Sequence, residues 1–209
     1  MFVLTRLHKT VCDNRNLATI ATQDLSKVKG PLLYTSKVPE DLSIIPLSSP
    51  HPTQADKLVS QLKTEAEALR KEKKRSAVTG LHQFLHLLDT WPVYPCLMDG
   101  DTTISFPPVT NSGNTRIAET TRSVLNIYSG WIFVNCYFPS SSLLVEVTSS
   151  SKLGDAKLVM DTLLGEMAVL LGGLTVVQGR VVGEGGELKV TYPAKTDLVG
   201  VKNVKVVRE

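Results

Sequence analysis

The 209-residue sequence predicts a mixed α+β fold, an α/β arrangement of helices packed on a mixed sheet. Three observations lead there. Long runs with apolar residues at helical spacing occur twice. Short β-prone runs bounded by turn residues lie before and after them. Hydrophobic residues make up 42% of the chain, enough for a sizeable core.

Val3, Leu7 and Val11 recur at the spacing of a short amphipathic helix. Leu17 to Thr22 reads as a strand ending at Gln23-Asp24, and Leu32 to Thr35 as another. Pro46, Pro50 and Pro52 make residues 46–53 a stiff extended connection. A helix is expected next, with Thr53 as N-cap and Leu58, Leu62, Ala66 and Leu69 on one face. It ends in Arg70-Lys71-Glu72-Lys73-Lys74-Arg75, a run that either contacts phosphates or is a solvated tail suited to the helix dipole. A further helical stretch holds Leu81, Leu85 and Leu88. A long helix is expected over 152–171, with Leu153, Ala156, Met160, Leu163, Met167 and Leu170 in one stripe and Gly172-Gly173 as its stop. Leu174 to Val182 and Glu187 to Tyr192 alternate as strands around Gly183-Glu184-Gly185-Gly186. That cluster lacks the Lys-Ser/Thr of a phosphate loop and reads as a hairpin turn.

Composition excludes several function classes. A net charge of +3 does not by itself mark a nucleic-acid binder. Cys12, Cys96 and Cys136 lie far apart without a CxxC or Cys/His pairing, which favours a reduced compartment and argues against a zinc cluster. His82 and His86 are four apart, a metal-compatible spacing, but no third ligand accompanies them, so no metal and no cofactor is assigned. No apolar run reaches the roughly 18 residues of a membrane helix, and no secretory signal pattern opens the chain, so no membrane contact is expected. The expected address is the cytoplasm.

Residues 126–143 separate Ser123-Val124-Leu125 from Leu144-Val145-Glu146-Val147-Thr148 and read as an insertion. Phe138 to Leu144 uses only Phe, Pro, Ser and Leu, the residues of all-pyrimidine codons. The segment is either a translated intron with its polypyrimidine tract or a natural surface loop, which chain entropy tolerates. Trp131 to Val134 form an apolar patch within it.

The stretch from Tyr94 to Ile117 carries the most functional information. Pro107-Pro108 fixes two φ angles and removes two donors, which rigidifies a loop. Behind it stand Asn111, Ser112, Asn114 and Thr115, short polar groups that bond nearby backbone, with Gly113 free to take positive φ and Thr115 placed to cap a helix from Arg116. A preorganised polar loop is a candidate ligand site; the alternative is a plain turn.

This loop resembles the proline-proline-x-x-asparagine loop of the B3/B4 domain in the β subunit of archaeal and eukaryotic phenylalanyl-tRNA synthetases. Leu7-His8, Cys12, Arg15, Ile20, Thr22, Asp24-Leu25, Gly30-Pro31, Tyr34-Thr35, Lys37, Pro39 and Pro46-Leu47 fall in the family's order upstream. Thr121-Arg122, Glu146, Thr148, Lys157, Val159 and Asp161 continue it, so the likeness spans most of residues 2–165. Gly179 to Val182, Leu188 to Val190 and Tyr192-Pro193 to Leu198 resemble the close of leucine-rich repeat proteins that carry this domain. The resemblance implies one B3/B4-like domain over 1–209, lacking the family's first strand. Within it, 46–80 is a polar and basic helical segment, 126–143 an insertion and 174–209 the C-terminal strands.

In the family this domain hydrolyses the ester of tyrosine mischarged on phenylalanine tRNA. The resemblance makes Glu146 the candidate catalytic residue and places Thr22, Gln23, Asp24, Asn111, Ser112, Asn114, Thr115, Arg116 and Thr148 at the pocket. That role needs the diproline loop and the Glu146 strand as two walls of one cavity. RNA phosphates would meet Arg70, Lys71, Lys73, Lys74, Arg75 and Arg122. Three departures stand against the chemistry: Gln23 replaces a histidine, and Gly113 and Asn114 replace an acid and a histidine. None of these can titrate. The expectation is an RNA-binding module, with tRNA as partner, whose editing chemistry is lost or weakened. The alternatives are an aminoacyl-tRNA ester hydrolase and a protein-interaction module joined to repeats absent from this chain.

Overall fold

A computed structural model describes residues 3–47, 49–73, 80–115, 142–149 and 151–208. The chain divides into two compact units, Met1–Ser26 with Ile117–Glu209, and Lys27–Arg116. The architecture is the expected mixture of helices with several small sheets.

In the first unit, helix α1 (Val3–Lys9) buries Val3, Leu4 and Leu7. The chain then turns through Asp13, Asn14 and Arg15, three successive residues at positive φ, into strand β1 (Ala18–Asp24). The last strand before the long helix, β8 (Leu143–Ser149), pairs antiparallel with β1, Ala18 opposite Ser149 and Asp24 opposite Leu143. Leu143 therefore opens a strand and is fully buried, although it closes the 126–143 segment in sequence. The rest of that segment, with Trp131 to Val134, lies outside the described residues.

Helix α3 (Leu153–Leu171) ends on Gly172, which takes the left-handed conformation at φ 70° that L-residues with a Cβ avoid. Its buried face differs from the expected stripe. Val159, Leu163, Leu164, Met167 and Ala168 are buried, whereas Leu153 and Leu170 are exposed, at 53% and 40%. The helix is apolar nearly all round, so spacing alone does not single out the face that meets the core of Leu4, Leu7, Ile20 and Leu143.

The run Leu174 to Val182 is not one strand. It divides at Gln178 into β9 (Leu174–Val177) and β10 (Gly179–Val182). Strand β9 pairs in parallel with β12 (Val204–Val207), and β10 forms the expected hairpin with β11 (Leu188–Tyr192). Gln178 makes the switch, its amide N–H bonding Val207 O at 2.8 Å and its side chain donating to Pro193 O at 2.7 Å.

The second unit is built on an antiparallel sheet in the order β2 (Leu32–Lys37), β5 (Tyr94–Asp99), β6 (Thr102–Phe106), β7 (Thr110–Asn111). Two short strands, β3 (Ser43–Ile44) and β4 (Thr53–Gln54), pair beside it. Residues 46–53 thus close a small β-link. Helix α2 (Ala55–Lys73) starts after Gln54, so Thr53 lies in β4 and is not the N-cap; its hydroxyl bonds His51 O instead. Leu58, Leu62 and Ala66 are buried as expected, against Leu42, Ile44, Met98 and Phe106. The stretch Gly80–Leu88 is a 3-10 helix. Tyr94 stacks on Phe106 with ring centroids 5.4 Å apart.

Candidate functional site

Glu146 lies mid-strand in β8, opposite Ala21. Side chains alternate across a strand, so Thr19, Ala21 and Gln23 share one face with Leu144, Glu146 and Thr148. The other face, carrying Ala18, Ile20, Leu143, Val145 and Val147, packs into the core. The first face holds the polar groups. The hydroxyls of Thr19 and Thr148 are hydrogen-bonded at 2.8 Å. Gln23 is fully buried, and both carboxylate oxygens of Glu146 are shielded from solvent. Gln23 stands one diagonal step from Glu146, a Cβ separation on the order of 7 Å. Glu146 is the one acid on this face.

The neighbouring candidates are placed differently. Thr22 pairs with Val145 through its backbone. Asp24 alternates to the opposite face from Gln23, and its carboxylate accepts from the Ser26 N–H at 3.1 Å and the Ser26 hydroxyl at 2.6 Å. That arrangement is a local turn.

The diproline loop belongs to the second unit. Strand β6 leaves the sheet at Phe106, turns through a cis Pro107-Pro108 bond, and returns as β7, with the Val109 N–H donating to Phe106 O. The polar groups behind it mostly shape the chain. Ser112 is buried and donates its amide to Ile104 O, while its hydroxyl accepts from the Asn114 N–H at 3.2 Å. Thr115 is buried too, its hydroxyl on Ser112 O. Asn111 is half-buried, and Asn114 is exposed. Gly113 is not at positive φ, contrary to expectation, because its N–H is held by Ile45 O in a β-like link. The helix that Thr115 was expected to cap, from Arg116 onward, lies outside the described residues.

The basic segment is visible in part. Arg70 and Lys71 are exposed at the end of α2, which closes at Lys73. Lys74, Arg75, Arg116 and Arg122 lie outside the described residues. His82 approaches Glu65 at 3.5 Å and His86 is exposed. Among the described residues no three His, Cys, Asp or Glu side chains gather as a metal site. Among the same residues, no helix is long and apolar enough to cross a membrane.

Two polar constellations were not singled out from sequence. His8 is buried and its Nε2 accepts the Ile20 N–H at 3.2 Å, which ties α1 to β1. Burial, and then the nearby Arg15 charge, pull its pKa down to about 4. The second constellation joins α3 to the C-terminal strands. Tyr192 donates to Asp161 Oδ1 at 2.6 Å, the Leu198 N–H donates to Asp161 Oδ2, and Lys157 pairs with Asp197 at 2.9 Å. Burial, followed by the bond to Asp161, holds the Tyr192 phenol well above its usual range, so it remains a donor. Tyr192→Phe is expected to lower stability by about 2 kcal/mol, because it leaves a part-buried carboxylate oxygen short of a donor. Chemical denaturation of the two proteins measures this, and an unchanged midpoint refutes it.

Comparison with known proteins places these features in context. Over 121 residues the chain is 31% identical to the phenylalanine–tRNA ligase beta subunit of Saccharomyces cerevisiae, covering 57% of this chain and 19% of that protein. Over 160 residues it is 28% identical to the cytoplasmic phenylalanine–tRNA ligase beta subunit of Arabidopsis thaliana, covering 76% and 21%. The chain is homologous to part of that subunit. It spans about a fifth of the length of these relatives. The fold matches the crystal structure of an N-terminal fragment of the phenylalanyl-tRNA synthetase beta subunit from Pyrococcus horikoshii. That match has a TM-score of 0.64 and 18% identity, over 91% of this chain and 44% of that one. No protein-family model matches the chain.

Proposed function

We propose that the chain is an RNA-binding module, with tRNA as its partner, that keeps the fold of a synthetase editing domain while its ester hydrolysis is lost or weakened. The homology to part of the phenylalanine–tRNA ligase beta subunit supports the tRNA connection. One observation carries the loss of chemistry: Gln23 occupies, fully buried, the position where the resembling family has histidine, on the face that holds Glu146. A carboxamide neither takes nor gives a proton at neutral pH. Hydrolysis of an activated ester gains most from a proton acceptor near the water and from donors at the developing oxyanion. Gly113 and Asn114 supply no titratable group either.

In this reading the diproline loop and the β8 face form two walls of one cavity within a single B3/B4-like domain over 1–209. Arg70, Lys71, Lys73, Lys74, Arg75 and Arg122 meet RNA phosphates, and the protein works in the cytoplasm. The C-terminal segment, closed by the Tyr192 and Asp197 contacts, resembles the end of leucine-rich repeat-containing protein 47. The chain is accordingly read as a fragment of such a repeat protein, whose repeats supply protein contacts.

A second reading, a tRNA ester hydrolase, rests on the shielded carboxylate of Glu146. Two measurements separate the readings. Titration with tRNA at 50 and then 200 mM salt is expected to show affinity falling by at least tenfold, as release of counterions from several phosphates requires. Deacylation of tyrosylated phenylalanine tRNA by the purified protein is expected not to exceed the rate without protein. Absence of salt-sensitive binding removes the RNA reading, and turnover that falls on Glu146→Gln establishes the hydrolase instead.

A further inference from the structure

Between α2 and the Gly80–Leu88 helix lies an open hollow of about 480 Å³. Its floor is apolar, made by the buried side chains of Ala66 and Leu85. The walls carry both signs of charge. Arg70 and Glu67 project from α2, and His82, His86 and Asp89 stand opposite. Lys63 spans the two sides by donating to Asp89 Oδ1 at 2.7 Å, which leaves Asp89 Oδ2 outside that bond. The groove also contains an anomaly. The Nε2 atom of His82 is buried and has no hydrogen-bond partner, its nearest acceptor being Glu65 Oε2 at 3.5 Å. Buried polar atoms in folded proteins are nearly always paired, so this nitrogen calls for a ligand atom.

The ligand must satisfy a guanidinium, an imidazole nitrogen and two carboxylates around an apolar floor. A bare phosphate or an acidic peptide would answer Arg70 but would meet Glu67 and Asp89 with like charge. A nucleotide fits all of them. Its phosphate matches Arg70, its planar ring covers Leu85, and an exocyclic amino group donates to a carboxylate. Unstacked RNA bases are read in this way, on their edges and against Arg or His planes. We propose that the groove between α2 and the Gly80–Leu88 helix is a subsite for one unstacked nucleotide carrying an exocyclic amine. This inference rests on the RNA-binding reading and gives it a definite contact.

The test follows the imidazole signals of His82 and His86 by NMR during titration with adenosine and uridine 5′-monophosphates, beside tRNA binding on the same protein. Adenosine monophosphate is expected to move both imidazoles saturably, and uridine monophosphate, which lacks the amine, to bind more weakly. Arg70→Gln is expected to weaken the adenosine ligand about tenfold, the lower end for a bond to a charged group. Glu67→Gln is expected to erase the preference between the two. Both side chains are exposed on α2, so neither change threatens folding. Inorganic phosphate or an acidic peptide producing the same shifts overturns the proposal, as does the absence of shifts with either nucleotide. Bound tRNA that leaves both imidazoles unmoved sinks the groove but not the RNA reading. Nucleotide shifts without tRNA binding do the reverse.

Discussion

Between pH 6.5 and pH 4 the protein is expected to lose about 3 kcal/mol of folding stability through His8 alone. In the unfolded chain this imidazole titrates near 6.5, and in the folded protein near 4, because burial and the Arg15 charge disfavour the cation. The unfolded state therefore binds more protons than the folded state across that window, and stability falls as pH falls through it. The difference of 2.5 units between those two values corresponds to about 3.4 kcal/mol at full extent. Geometry agrees with the sign. Nε2 accepts the Ile20 N–H, so protonating it removes the acceptor and leaves a buried amide facing a cation. Denaturant titrations at several pH values measure the slope, and His8→Gln, which keeps an acceptor without a titrating group, is expected to flatten it. An NMR titration in which the His8 imidazole protonates near its unfolded value would contradict the account even if that variant fails to fold.

Asp197 adds a smaller contribution of the same direction. Although burial pushes its carboxyl upward, the Ala194 N–H and the Lys157 ammonium hold it below the usual range. Its stabilisation is present above the unfolded carboxyl range and is lost as pH falls through the lowered folded value.

The strands β1, β2 and β11 were legible in the sequence because each combines β-prone residues with a clear stop: Asp24, Lys37 and the cis Tyr192-Pro193 bond. Helix α3 was legible in extent but not in orientation, since exposed Leu158 and Val169 are as apolar as buried Val159 and Met167. The β9–β12 pair was hidden for a different reason. Parallel pairing joins residues some 30 apart in sequence, and no local pattern announces which distant run a strand will accept. Leu7, His8 and Cys12 were recognised as residues in the family's order; the structure gives them a packing role, all three being buried. The same holds for Asp161 and Tyr192, which two separate sequence resemblances supplied and a single hydrogen bond joins. At the candidate site, pleat alternation follows from a strand once its register is known. That register puts Gln23 with Glu146 and turns Asp24 away. Sequence adjacency alone had grouped Thr22, Gln23 and Asp24 as one patch.

Restoring a titrating group beside Glu146 is expected to restore chemistry. Gln23→His should raise deacylation of tyrosylated phenylalanine tRNA by about a hundredfold over the parent, the lower end for a positioned general base. The physical premise is that Gln23 and Glu146 share one face with the glutamate oxygens shielded from water, where an imidazole can hold a proton that the amide cannot. Imidazole and carboxamide side chains are close in volume, so the fully buried position should accept the change; a melting curve checks this. The gain is expected to vanish when Glu146→Gln is added and to leave tRNA affinity unaltered, which separates catalysis from binding. Should Gln23→His alone be inert, Gly113→Asp with Asn114→His completes the family's set. A Cβ at Gly113 would lie 3.5 Å from Pro46 O, ordinary contact distance, and its φ is one that any residue adopts. A well-folded triple variant that binds tRNA with parental affinity yet hydrolyses nothing would show that these substitutions are not what separates this module from a working editing site.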